Sequence, residues 1–224
     1  MKDDLAAHIE LCRRDPMYFR EQLIIDGASR DPKRFGEVMA EFQRKDFEAL
    51  DPCLKWLSGL KFPTPGGSPR LAPKPLIRRF FIQRGRGSSK TSDLATCFLW
   101  LLAFSPLHLD MVVAAEDRDQ ASLIKEQATK IIHNNPWLDK FVKVQRGRML
   151  NPKTGSALNC VPRDKWGSFG ITPDVVMVDE FTHVSDEGFW GSMLSSFAKK
   201  EGALILACNA GAGVDWKWRV KERR

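Results

Sequence analysis

The sequence predicts an α/β fold: a mostly parallel β-sheet with helices on both faces. Three observations predict it. Four runs of strand length, at residues 76–82, 109–115, 174–178 and 203–207, are largely apolar, and the last three almost throughout, as strands covered on both sides are. Stretches with helical periodicity separate them, and strands alternating with helices favour parallel pairing. Three of the runs lead into polar or small-residue clusters, "RGRGSSKT", "DE" and "NAGAG". In such sheets ligands sit beyond the carboxyl ends of the strands.

In chain order, residues 1 to about 50 read as helical and highly charged. Phe35, Val38, Met39, Phe42 and Phe47 recur there at helical spacing. Residues 61–75, "KFPTPGGSPRLAPKP", concentrate proline and glycine and read as a loop or linker. The expected division is a helical segment over 1–60, a linker over 61–75 and a core over 76–224. The core opens with strand 76–82, a polar loop, and a helix from about Thr91 to Phe104. That helix ends in "CFLWLLAF", too short an apolar run to span a bilayer and better read as buried. After strand 109–115, residues 119–134 place Ala121, Ile124, Ala128, Ile131 and Ile132 on one helical face. Residues 141–144 and 157–161 suggest a hairpin around the turn "NPKTG". Strand 174–178 is followed by a helix from Glu187 to Lys199 and by strand 203–207. Trp137, Trp166 and Trp190 read as core or interface residues.

The 224 residues carry 35 Lys and Arg against 28 Asp and Glu, a net charge of +7. This balance suits phosphate-rich partners and says nothing about fold. The five cysteines are scattered, odd in number and form no C-x-x-C pair, which argues against a disulfide framework or a zinc site. The charged start "MKDDLAAHIELCRRD" is no signal peptide.

The loop "RGRGSSKT" has the outline of a phosphate-binding loop, G-x-x-x-x-G-K-[S/T], broken twice. Arg84 stands for the first glycine and Ser89 for the second. In such a loop the backbone N–H groups of residues 84–91 cradle phosphates, helped by the helix dipole. Arg84, Gly85, Arg86, Gly87, Ser88 and Ser89 form the cradle, Lys90 reaches the β- and γ-phosphates, and Thr91 holds Mg²⁺. Ser89 can replace glycine only where the backbone avoids a strongly left-handed conformation. Some ninety residues on, "VVMVDE" ends an apolar strand in two carboxylates, Asp179 to hold the metal shell and Glu180 to orient or deprotonate the attacking water. Asn209, just past strand 203–207, either senses the γ-phosphate or caps a turn. Each signal has a bland counterpart, a basic turn or an acidic strand end facing water. Their order, with one strand–helix unit between loop and carboxylates, favours an ATP- and Mg²⁺-dependent site.

Several stretches together resemble the N-terminal ATPase domain of the large terminase subunit of tailed bacteriophages. They are "RGRGSSKT", "VVAAEDRDQASLIKEQATKIIHNNPWL", "WGSFGITPDVVMVDEFTHV", "ACNAG" and, more loosely, "EFQRKDF", over residues 35 to 220. The resemblance implies a P-loop NTPase of the additional-strand, catalytic-glutamate class. In that family an arginine four residues before the lysine recurs, here Arg86, which implies a contact to the γ-phosphate. It also implies that Gln43 lies near adenine, with the N-terminal segment on that side, and that Asn209 couples hydrolysis to movement. It further implies a homo-oligomeric ring in which one subunit supplies an arginine to its neighbour. Arg163 is the favoured candidate, ahead of Arg146 and Arg148.

The implied partners are double-stranded DNA held by its phosphates, the portal or procapsid, and the small terminase subunit. The implied setting is the host bacterial cytoplasm at the procapsid portal, with no membrane. No carboxylate cluster for a two-metal nuclease follows "ACNAG", so cleavage is not expected of this chain. The alternatives are a DEAD-type helicase-like ATPase and a non-hydrolysing nucleotide-gated interaction module.

Overall fold

The computed structural model describes residues 2–27, 31–162, 172–197, 200–209 and 216–222. The N-terminal part holds α1 (Lys2–Arg14) and α2 (Pro16–Gln22). An antiparallel ribbon follows, β1 (Ile24–Asp26) with β2 (Pro32–Arg34), then α3 (Phe35–Val38) and α4 (Glu41–Ser58). The single helix expected beyond residue 35 is interrupted at Ala40, whose backbone is extended (φ −73°, ψ 155°). The Gln43 side chain accepts the Ala40 N–H at 2.9 Å and restarts the helix. The break splits the apolar set. Phe35 and Phe47 are buried edge-to-face with centroids 6.0 Å apart, whereas Val38 and Phe42 are exposed.

The proline- and glycine-rich stretch is not a plain loop. It folds into a hairpin of β3 (Lys61–Thr64) and β4 (Gly67–Leu71). The turn between them is Pro65-Gly66, with Gly66 at φ +67°. Pro63 and Pro69 lack a ladder donor, which each strand tolerates because it has a single neighbour.

The main sheet contains β5 (Arg79–Gln83), β6 (Asp110–Ala115), β7 (Lys143–Val144), β8 (Arg148–Leu150), β9 (Ala157–Pro162), β10 (Val175–Val178) and β11 (Ala203–Cys208). Their order is β5-β11-β10-β6-β9-β8-β7. The first five are parallel, and β8 and β7 complete the sheet antiparallel. The turn at 151–155 therefore joins β8 to β9. Residues 143–144 lie one strand farther out, because the two edges of β9 are taken by β6 and β8. β11 is inserted between β5, which leads into the glycine–serine loop, and β10, which ends in the carboxylate pair.

Four helices complete the core: α5 (Lys90–Phe104), α6 (Arg118–Asn134), α7 (Glu187–Phe197) and α8 (Trp216–Glu222). Side chains alternate along each strand, so one sheet feeds two cores. Met111, Val113, Val175, Met177, Ala203 and Ile205 face α5, α6 and the N-terminal helices. Val112, Ala114, Val176, Val178, Leu204 and Leu206 face α7 and α8. The expected face of α6 is buried at every position, and α5 is buried from Asp93 to Phe104. Trp100, fully buried in α5, donates from its ring N–H to the Cys12 carbonyl at 2.9 Å and ties α1 to the core. Trp137 packs on Phe104, and Trp190 on Phe181. Trp166 lies outside the described residues. Among the described residues no helix is long and apolar enough to cross a membrane.

Candidate active site

β5, β10 and β11 end side by side, and their ends carry the residues singled out by sequence. Arg84 extends the β5–β11 ladder by one bond, its N–H donating to the Cys208 carbonyl at 3.1 Å. The chain then turns through Gly87 (φ +74°) and Ser89 (φ +60°, ψ +20°) into α5. The Ser88 hydroxyl ties the turn by donating to the Gly85 carbonyl at 2.6 Å. The left-handed Ser89 corrects the expectation that a serine here requires an ordinary backbone. The position keeps the geometry of the consensus glycine, and the serine adopts it under strain.

Lys90 opens α5 and is only 6% exposed. Its ammonium donates to the carbonyls of Arg84 and Gly85, both at 3.3 Å, and to Asn209 Oδ1 at 2.7 Å. Asn209 Nδ2 donates to Glu180 Oε2 at 2.8 Å. Asn209 thus bridges the loop lysine and the end of the acidic strand. The Thr91 hydroxyl donates to Asp179 Oδ2 at 3.0 Å, and Asp179 Oδ1 accepts the Glu180 N–H at 3.0 Å. Asp179 is 1% exposed, and burial raises its pKa above the usual carboxylate range against the pull of Thr91. Glu180 is left-handed (φ +47°). Among the described non-glycine residues only Ser89 and Glu180 have positive φ. Strain of this kind concentrates where a site has to be held.

The side chains of three other expected residues stand outside this bonded path. The Arg84 side chain is committed to protein partners. Its Nε and Nη2 donate to Asp46 at 2.9 and 2.6 Å, and its Nη1 to Asp93 at 2.5 Å and to the Ser88 carbonyl at 3.1 Å. Arg86 is exposed and has no hydrogen-bond or ion-pair partner among the described residues. Gln43 is buried with its amide committed to Ala40 and, at 2.7 Å, to Asp93. Arg163 lies outside the described residues, and Arg146 and Arg148 are exposed in the β7–β8 hairpin, at the sheet edge opposite β5.

Sequence reasoning passed over Asp93 and Asp46. Asp93 is 4% exposed, and burial lifts its pKa to about 6 despite Arg84 and Gln43. A carboxylate in the first turn of an otherwise apolar helix was the available signal. A cleft of about 650 Å³ opens beside the loop between Phe42, Phe81, Gln83, Arg84, Ser88 and Lys221.

The match to a known family decides the reading. Residues 68–222, more than half of the chain, match the family described as "Terminase large subunit, ATPase domain". The chain belongs to this family. Its sheet, with β11 between the loop strand and the acidic strand, is the P-loop NTPase fold of the additional-strand class. The large terminase of bacteriophage HK97 is similar in structure, with a TM-score of 0.64 at 19% identity over 94% of this chain and 42% of that one. The ATPase domain of the Thermus phage P74-26 large terminase gives 0.52 at 18% identity, over 63% and 62%. The large terminase of another thermophilic bacteriophage gives 0.51 at 12% identity, over 82% and 40%. The chain therefore spans about two fifths of the HK97 protein. No curated protein matches it.

Proposed function

We propose that this terminase ATPase domain hydrolyses ATP to drive double-stranded DNA into a viral procapsid. The observation that carries the proposal is the bonded path Lys90–Asn209–Glu180 beside the pair Thr91–Asp179. It joins a phosphate-binding cation, an amide and two carboxylates at three adjacent strand ends. ATP places its phosphates over residues 85–91, where Lys90 offsets the charge of the β- and γ-phosphates. The base takes the cleft between Phe42 and Phe81, and Gln43 supports that side of the site from behind through Asp93. Arg86, exposed on the loop, is free to turn toward the γ-phosphate. Glu180 orients the attacking water and accepts its proton. Asn209 reports the state of the γ-phosphate from Lys90 to Glu180.

Thr91 and Asp179 suit Mg²⁺. A hydroxyl and a buried carboxylate lie 3.0 Å apart, both hard oxygen donors, and a dication would offset the cost of keeping Asp179 ionised. Bound there, Mg²⁺ supplies neutralisation of phosphate charge.

The rest follows from the family. The motor works as a homo-oligomeric ring at the portal in the host cytoplasm, with the small terminase subunit and a neighbour's arginine, for which Arg163 is the candidate. DNA is held through its phosphates, without sequence readout. Lys90→Ala tests the assignment. It is expected to abolish ATP turnover while leaving the melting temperature within a few degrees, and full turnover in that variant would overturn the site.

A further inference from the structure

We propose that Arg84, at the position of the first consensus glycine, is a positioning residue that braces the phosphate loop against α4, with Asp46, Asp93 and Gln43 as its anchors. The proposal rests on the nucleotide reading of the loop. Four of the five guanidinium N–H groups are used. Two go to Asp46 on α4, one to Asp93 in the first turn of α5, and one to the Ser88 carbonyl across the loop. Asp93 is shared: Oδ2 takes Arg84, and Oδ1 takes Gln43 Nε2 at 2.7 Å. The guanidinium also lies 4.9 Å from the ring centre of Phe42, again on α4.

The geometry has a specific meaning. The bond to Ser88 closes the loop on itself, fixing the span that a glycine-rich loop leaves to backbone freedom. The bonds to Asp46 and Asp93 then lock that closed loop to two helices. Charge-assisted, multidentate arginine contacts of this kind hold geometry as well as energy. A side chain 9% exposed, with both carboxylates in place, is not poised to grip a phosphate. It sets the shape that the backbone N–H groups present. The strut also makes the N-terminal segment part of the site, since α4 supplies Gln43 and Asp46.

The experiment is titration of ATP by calorimetry into the whole chain and into Asp46→Asn, Arg84→Lys, the double variant and Lys90→Ala, with melting temperatures alongside. Asp46 is 37% exposed at its side chain, so Asp46→Asn is expected to fold. A brace predicts that Asp46→Asn and Arg84→Lys each weaken ATP binding about tenfold, with the double variant no weaker than Arg84→Lys, because the two act through one contact. KM is expected to rise with kcat little changed. A direct phosphate ligand predicts the opposite sign for Asp46→Asn, since freeing Arg84 would tighten ATP. That result overturns the proposal, as would unchanged ATP affinity in both single variants with only the melting temperature lowered. Wild-type chain that binds no ATP would overturn the nucleotide reading and this proposal together. Binding by the wild type that is lost in Lys90→Ala keeps that reading and isolates the brace as the point under test.

Discussion

Ser89→Gly is expected to stabilise the fold, although it removes a side chain. Ser89 sits at φ +60°, ψ +20°, its side chain is exposed, and its hydroxyl makes no hydrogen bond among the described residues. Holding an L-residue in the left-handed region costs about 1–2 kcal/mol. The extra freedom of glycine in the unfolded chain takes back about 0.4–1 kcal/mol. The net expectation is a gain of about 0.5–1 kcal/mol, or roughly 1–4 °C in melting temperature for a chain of this size. Gly87 supplies the control on the same loop. It sits at φ +74°, and an added Cβ would meet nothing within 4 Å, so Gly87→Ala tests the backbone term alone. The same two terms then enter with reversed sign, for a loss of about 0.5–1 kcal/mol. Urea unfolding of both variants without nucleotide is the assay. A Ser89→Gly variant no more stable than wild type, or a Gly87→Ala variant no less stable, would refute the assignment of strain.

Asn209→Ala is expected to lower kcat about a hundredfold, on the scale of losing one preorganised donor at a reacting group, while ATP affinity changes far less. Steady-state rates with parallel binding titrations check it, and an unchanged kcat would remove Asn209 from the site. Burial raises all five thiols, Cys12 and Cys53 to about 12 and Cys160 and Cys208 to about 11, with Cys97 also raised. Native labelling by iodoacetamide near neutral pH is therefore expected to be slow and to rise about tenfold per pH unit to at least pH 10, without the levelling of a free thiol above pH 9. Rapid labelling of the folded chain at pH 7.5 would contradict the burial.

The parts legible in the sequence were those written in local pattern. Strands covered on both faces declared themselves as apolar runs, and the buried face of α6 could be read from Ala121 to Ile132. Residue type at strand ends singled out Lys90, Thr91, Asp179, Glu180 and Asn209, and the structure brings these side chains together. What could not be read depends on contacts distant in sequence. The guanidinium partners of Arg84, Asp46 and Asp93, lie 38 and 9 residues away and carry no local signal. The amide partner of Gln43, Asp93, lies 50 residues on. The hairpin at 61–71 was hidden because its prolines argue against strands, and only pairing across Pro65-Gly66 accommodates them. Ser89 shows a further limit. Residue type argues against a left-handed backbone, and the loop imposes one regardless.

The central claim is hydrolysis by Glu180 at a site organised by Lys90. Steady-state ATP turnover with Mg²⁺ tests it most directly, comparing the chain with Glu180→Gln across a range of protein concentrations. The account predicts turnover that grows more than linearly with concentration, as neighbours complete the site, and that vanishes in the variant while ATP still binds. Equal turnover in both proteins, or ATP bound and never consumed by the wild type at any concentration, would contradict it.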